Sequence, residues 1–195
     1  MKTVFFDVDT QIDFLYPAGA LYVPGAEKVV EQIAALNRFA GSHEIPVVST
    51  MDAHSEDDPE FRAWPPHCVA GVIGQHKAET MLLSRRMIVP NANVAFNIDG
   101  AQQILLEKQT FDCFTNVNLA GLLERWDAKR YLVYGVVTEI CVKLAAWGLL
   151  KTGKRVELVT DAVRSLNDAA AAAMTEAFLA AGGVLTTVSV ATRRP

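Results

Sequence analysis

Three side chains with complementary chemistry, a thiol, a carboxylate and an ammonium, each stand at or just beyond a short apolar run. Asp9 follows Val4–Val8, Lys108 closes Ile104–Glu107, and Cys141 lies shortly after Tyr131–Gly135. A thiol nucleophile needs a group to carry its proton and a cation to balance the developing charge. Asp9 can shuttle the proton and Lys108 can supply the positive charge, so the set needs no catalytic histidine. Thr138 reads as a helix N-cap, which places Cys141 in a first helical turn. Orphan N–H groups and the positive end of the helix dipole there favour a thiolate and can hold an oxyanion. Cys68 and Cys113 lack such a setting and read as structural.

A second cluster follows the next apolar run. Asp52 and His54 are two residues apart, so on extended chain they point the same way. With Glu60 and His67 they offer two imidazoles and two carboxylates, a donor set that suits Zn first, with Mn or Fe as alternatives, rather than calcium. The competing reading of Ser55–Glu60 is an acidic, solvated loop. His43 and His76 stand apart from this group and read as surface residues.

The elements that must position these residues are short β-branched strands alternating with helical patterns. Strands are expected at Val4–Val8, Pro46–Thr50, Ile104–Glu107, Tyr131–Gly135, Val156–Thr160 and Val184–Val188. Helices are expected at Glu27–Phe39, Leu119–Trp126, from about Glu139 to Leu150, and at Asp168–Ala180. Such alternation specifies a parallel sheet covered on both faces, a three-layer α/β/α domain with six strands. Ligands of such sheets bind beyond the carboxyl ends of the strands, where Asp9, Asp52, His54, Lys108 and Cys141 all fall. Residues 75–100 show weak periodicity, and they are expected to form a lid or an oligomer contact.

Composition fits this picture. The 195 residues are 51% hydrophobic with a net charge of −4. For that length folding buries about 70% of the chain's surface, enough for one core over residues 1–195 without metal or disulfide staples. Odd, widely spaced cysteines and an apolar start interrupted by Asp7 and Asp9 point to a cytoplasmic protein. The absence of a dense basic patch or long apolar run argues against nucleic acid and membrane as partners. Phe, Trp and Leu in the helices are compatible with a homo-oligomer, and no face is singled out.

With these residues in hand, the sequence resembles the isochorismatase-like cysteine hydrolases, within them the nicotinamidase/pyrazinamidase branch. Val8-Asp9-Thr10-Gln11-Ile12-Asp13-Phe14 is similar to the family's opening motif, and Gly135–Val142 to its nucleophile segment. Asp52, His54 and Trp64–Cys68 are similar to the metal and pocket motif of nicotinamidases. The resemblance covers roughly residues 1–70 and 104–190. It implies a triad of Asp9, Lys108 and Cys141, a cis peptide at Val136–Val137, and an oxyanion hole from the N–H groups of Val137 and Cys141. It also implies metal ligation by Asp52, His54 and His67 with Glu60 at a variable position, and aromatic walls from Phe14 and Trp64. The implied reaction converts the small amide nicotinamide to nicotinate and ammonia through a Cys thioester.

The nearest alternative keeps the family and changes the substrate to another amide, carbamoyl or vinyl-ether compound. Arg85-Arg86 would then be candidates for an anionic substrate. From another class, Asp7-Val8-Asp9-Thr10 resembles the opening of haloacid-dehalogenase-type phosphatases, although Gln11 departs from that motif. A non-catalytic binding protein on the same scaffold is the remaining reading.

Overall fold

β1 (Thr3–Val8) is buried along almost its whole length, as a strand covered on both faces must be. The computed structural model, which describes residues 2–193, places it near the middle of a seven-stranded parallel sheet. The other strands are β2 (Val47–Asp52), β3 (Arg86–Val89), β4 (Gln103–Lys108), β5 (Arg130–Val136), β6 (Arg155–Arg164) and β7 (Val184–Thr186). Their order is β3-β4-β2-β1-β5-β6-β7. The chain places β2, β3 and β4 on one side of β1, with β4 inserted between β2 and β3, and then crosses to β5 on the other, so the connections diverge between β1 and β5. A crevice opens at such a point, outside the carboxyl ends of the strands.

Side-chain alternation along β1 splits the core in two. Val4, Phe6 and Val8 face one layer, with α3 (Leu119–Trp126), α4 (Lys143–Leu150) and α5 (Asp168–Ala180) packed on it through Leu122, Leu149 and Phe178. Phe5 faces the other, covered by α1 (Ile12–Leu15), α2 (Val30–Ser42) and α6 (Val188–Ala191) through Leu15, Leu36 and Ala191. The three-layer expectation holds. The folded surface is 8990 Å², in line with the roughly 9,000 Å² expected for a single domain of this mass.

The expected six strands are a correction: the described residues form seven. The missed strand, β3, is short and sits at the sheet edge, where Arg86 and Ile88 are exposed and only Val89 is buried. Half of its residues face solvent, so it carries little hydrophobic signal. The expected last strand also shortens, because the chain turns into α6 two residues after Thr186. β6 instead runs on to Arg164, past a register shift against β5 between Val133 and Gly135. Met81 and Lys77, within the segment expected to be a lid, are buried.

Candidate active site

The chain leaves β1 sharply. Asp9 takes a left-handed backbone conformation (φ 50°) immediately after Val8, and its N–H donates to the Thr50 carbonyl of β2 at 3.2 Å. Its side chain thereby meets the end of β4, where Lys108 is the register partner of Asp52. Lys108 Nζ lies 2.9 Å from Asp9 Oδ2 and donates a short hydrogen bond to Asp52 Oδ1. All three side chains are almost fully buried. Desolvation works against the Lys108 ammonium, but the two carboxylates outweigh it and hold its pKa well above the ordinary lysine value. Asp52 is held low: burial opposes its charge, and Lys108 more than offsets this. Asp9 is pushed up by burial, with Lys108 opposing and Asp52 adding to the rise.

Asp9 Oδ1 accepts a hydrogen bond from Thr50 Oγ1 at 2.6 Å. Oδ2 has Lys108 Nζ beside it at 2.9 Å but no well-directed hydrogen bond, and the Asp9 carboxylate interacts with the Cys141 thiol. Cys141 sits in a π-helical turn, Thr138–Val142, that runs into α4. The Val136–Val137 peptide before it is cis, as the family resemblance implies. Two expectations about the thiol change. Val137, not Thr138, occupies the N-cap position, and no side chain caps the turn. The thiol is also not a ready thiolate: burial raises its pKa well above the ordinary value, Lys108 opposes this, and Asp9 reinforces it. Desolvation outweighs the helix end because Cys141 is only 8% exposed. Cys68 and Cys113, both buried, are likewise raised, chiefly by burial.

Beside this cluster, Asp52, His54 and His67 each bring a ligand atom within 4.8 Å of the others. The imidazoles are oriented for a cation. His54 Nδ1 pairs with Asp58 Oδ2 at 3.0 Å and His67 Nδ1 with the Pro65 carbonyl at 2.8 Å. Both Nε2 atoms are thus left facing the Asp52 carboxylate, at 3.8 Å and 4.0 Å, too far for hydrogen bonds. His54 Nε2 is buried without any hydrogen-bond partner. A buried ring nitrogen of this kind, with its ring fixed from behind by a carboxylate, is the arrangement of a metal-ligating histidine. Burial favours the neutral His54 ring, but the Asp52 and Asp58 carboxylates overcome it and lift its pKa to about 9. His67 is lowered by burial. Glu60 is outside the three-residue cluster but adjoins it, with Oε1 3.7 Å from His67 Nε2 and no hydrogen-bond partner. These donors fit a divalent transition ion.

The open side is an apolar pocket of about 510 Å³, mouth included, lined by Phe14, Trp64, Phe111, Leu166, His67 and Cys141 among others. Phe14 packs on His67 with ring centroids 5.5 Å apart, and Trp64 meets Phe111 edge-on at 6.3 Å. No residue from 75–100 lines this pocket. Nor do Arg85 and Arg86, candidates for an anionic substrate. Arg86 pairs with Gln103 at the start of β4, the opposite end of the sheet from Lys108. Arg85 binds Glu44 and Gln102. Asp7 is not a free nucleophile either: it accepts from Thr10, Ser49 and Asn37 and pairs with the buried Lys77.

Sequence reading missed Thr50, Asp58, Leu21, Val23, Ile140 and Leu166. Asp58 was hidden inside an acidic loop, although its position four residues after His54 is a usable signal. The apolar lining residues carry no chemical signature at all.

A parallel sheet covered on both faces, with a thiol, a carboxylate and an ammonium at its carboxyl edge, defines a three-layer α/β protein with a cysteine-centred site. The model of the isochorismatase domain matches residues 87–189, and the chain belongs to that family of hydrolases. It is similar to the nicotinamidase of Saccharomyces cerevisiae, 22% identical over an alignment of 202 positions, gaps included, that covers 86% of this chain and 90% of that one. Among solved structures it is similar to the pyrazinamidase of Pyrococcus horikoshii in complex with zinc (26% identity, TM-score 0.79, covering 96% and 99% of the two chains). It is also similar to PnC1 of L. infantum in complex with nicotinate (29% identity, TM-score 0.76, covering 96% and 93%).

Proposed function

We propose that the protein is an amidohydrolase that converts nicotinamide to nicotinate and ammonia, with Cys141, Asp9 and Lys108 as its catalytic residues. The observation that supports this reading is a buried Asp9 carboxylate that pairs with Lys108 and interacts with the Cys141 thiol, which lines an apolar pocket. Burial pushes the pKa of the thiol up, so its attack needs a proton acceptor at hand. Asp9 takes the thiol proton as Sγ bonds to the amide carbon, and the Lys108 ammonium holds the charge balance. The carbonyl oxygen becomes an oxyanion facing the backbone N–H groups of Val137 and Cys141. Asp9 then delivers its proton to the departing nitrogen, and ammonia leaves a thioester. Water attacks the thioester, Asp9 accepts a proton from it, and carboxylate release returns that proton to the thiol.

Asp52, His54 and His67, with Glu60 beside them, would hold one divalent ion, Zn by the chemistry of the donors. When bound, it supplies Lewis acidity toward a ring nitrogen. Phe14 and Trp64 flank the aromatic ring, and the pocket lining offers no Lys or Arg to a carboxylate-bearing substrate. This favours a neutral amide over the anionic members of the alternative substrate classes. Ammonia release from nicotinamide, pyrazinamide, benzamide and an N-carbamoyl amino acid tests the reading. Nicotinamide should lead; preference for the N-carbamoyl acid would overturn it.

A further inference from the structure

Glu139 lies two residues before Cys141 in the same π-helical turn, and the mechanism gives it no role. Its Oε1 accepts two backbone hydrogen bonds, from Leu166 N–H at 2.9 Å and from Asn167 N–H at 2.7 Å. Its Oε2 is buried and has no hydrogen-bond partner. Both bonded amides belong to the link between β6 and α5, and Asn167 caps that helix by accepting from Ala170 N–H at 2.9 Å. A carboxylate there is favoured by the N-terminal end of the helix dipole. The consequence for the site lies in Leu166. It is 46% exposed, yet it lines the pocket together with Ile140 and Cys141 of the nucleophile turn. Its backbone N–H is tied to Glu139 by the hydrogen bond above. The same link is tied on its other side, where Arg164 donates to the Pro24 carbonyl at 2.8 Å. Pro24 adjoins Val23, which also lines the pocket.

We propose that Glu139 is a positioning residue that clamps the β6–α5 link to the nucleophile turn and so holds Leu166 against the substrate ring. Leu166 forms the outer apolar wall, and Glu139 sets its place. The role rests on the amidohydrolase reading and concerns binding rather than bond-making: loss of the clamp should raise KM and leave kcat in place.

The test compares Glu139→Ala, Glu139→Gln, Leu166→Ala and the Glu139→Ala/Leu166→Ala pair with the parent enzyme on nicotinamide. Glu139→Ala should raise KM about tenfold with kcat changed by less than about twofold. Glu139→Gln keeps an acceptor oxygen for both amides and should stay within about threefold of the parent. Leu166→Ala, at a half-exposed position where folding is not at risk, should raise KM similarly. The double variant should be no worse than the poorer single one, since both act through one contact. An unchanged KM in Leu166→Ala, a fall in kcat alone in Glu139→Ala, or multiplying effects in the double variant would each overturn the proposal. Protection of Cys141 from iodoacetamide by nicotinamide measures binding without turnover. If the parent enzyme releases no ammonia, the amidohydrolase reading fails. A loss of protection in Leu166→Ala and Glu139→Ala still supports the clamp, and its retention overturns it.

Discussion

Replacing either partner of the buried Asp9–Lys108 contact should remove activity, but the two changes should differ sharply in stability. Lys108 sits between two carboxylates, Asp9 and Asp52, and all three are excluded from water. Asp9→Asn leaves Lys108 paired with Asp52 and removes a repulsion between the two acids. The remaining one-to-one pair strands no charge, so the stability loss should stay near about 1 kcal/mol, the scale of a single altered hydrogen bond. Lys108→Met leaves two buried carboxylates facing each other without their cation. Breaking a buried pair in this way costs about 3–5 kcal/mol. For a domain of this length each kcal/mol moves the midpoint of thermal unfolding by about 2–4 °C, so Lys108→Met should melt at least about 6 °C lower than the parent, and Asp9→Asn within about 4 °C of it. Ammonia release should fall about a hundredfold or more in Asp9→Asn, because the proton carrier is gone. Calorimetry and the ammonia assay on the same preparations give both quantities. Equal destabilisation by the two substitutions, or an active Asp9→Asn enzyme, would refute the reasoning.

Other outcomes follow from separate features. Alkylation of Cys141 by iodoacetamide should be slow near neutral pH and accelerate as pH rises beyond the ordinary thiol range, because burial raises its pKa. A rate already at its plateau at pH 7 would contradict this. Chelation should depress nicotinamide turnover more than it alters that alkylation, and benzamide, lacking a ring nitrogen, should be a much poorer substrate than nicotinamide. Gly135→Ala should destabilise by about 3 kcal/mol or more, or abolish soluble expression, since the added Cβ would stand 2.1 Å from the Val8 carbonyl oxygen at φ 117°. A denaturant midpoint close to the parent's would be the contrary result. Glu157, buried between Arg130 and Arg155, has its pKa lowered: burial opposes the charge, and the two guanidinium groups prevail. Its folded pKa lies below the unfolded one, so its contribution is complete above the unfolded carboxyl pKa and fades as pH falls through the folded value. Glu157→Gln should therefore lower the melting temperature at pH 7, and the difference should close in acid.

The layered architecture was legible because strands buried on both faces read as apolar runs, and Val4–Val8 and Tyr131–Gly135 are such runs. The edge strand Arg86–Val89 was not, since half of it faces solvent and pairing alone defines it. Residues with chemistry at strand ends were legible for the same reason the fold was: the sheet rule says where to look, and Asp9, Asp52, Lys108 and Cys141 stand there. What the sequence concealed is environment. Thr138 had the type of a cap but lies inside the turn, and the thiol that a helix end would acidify is instead buried among carboxylates. Asp7, within the first strand, and Asp9, just beyond it, differ also in their partners: Asp7 accepts from Thr10, Ser49 and Asn37, whereas Asp9 pairs with Lys108. The apolar pocket wall formed by Leu21, Val23, Ile140 and Leu166 depends wholly on tertiary placement.

The central claim, covalent chemistry at Cys141, is tested most directly by intact-protein mass spectrometry of enzyme quenched in acid during nicotinamide turnover. The account predicts a population heavier by one nicotinoyl group, mapped to Cys141 after digestion, absent without substrate and absent from Cys141→Ala, which should also release no ammonia. Steady ammonia release by Cys141→Ala, or an acyl group carried on another residue, would contradict it.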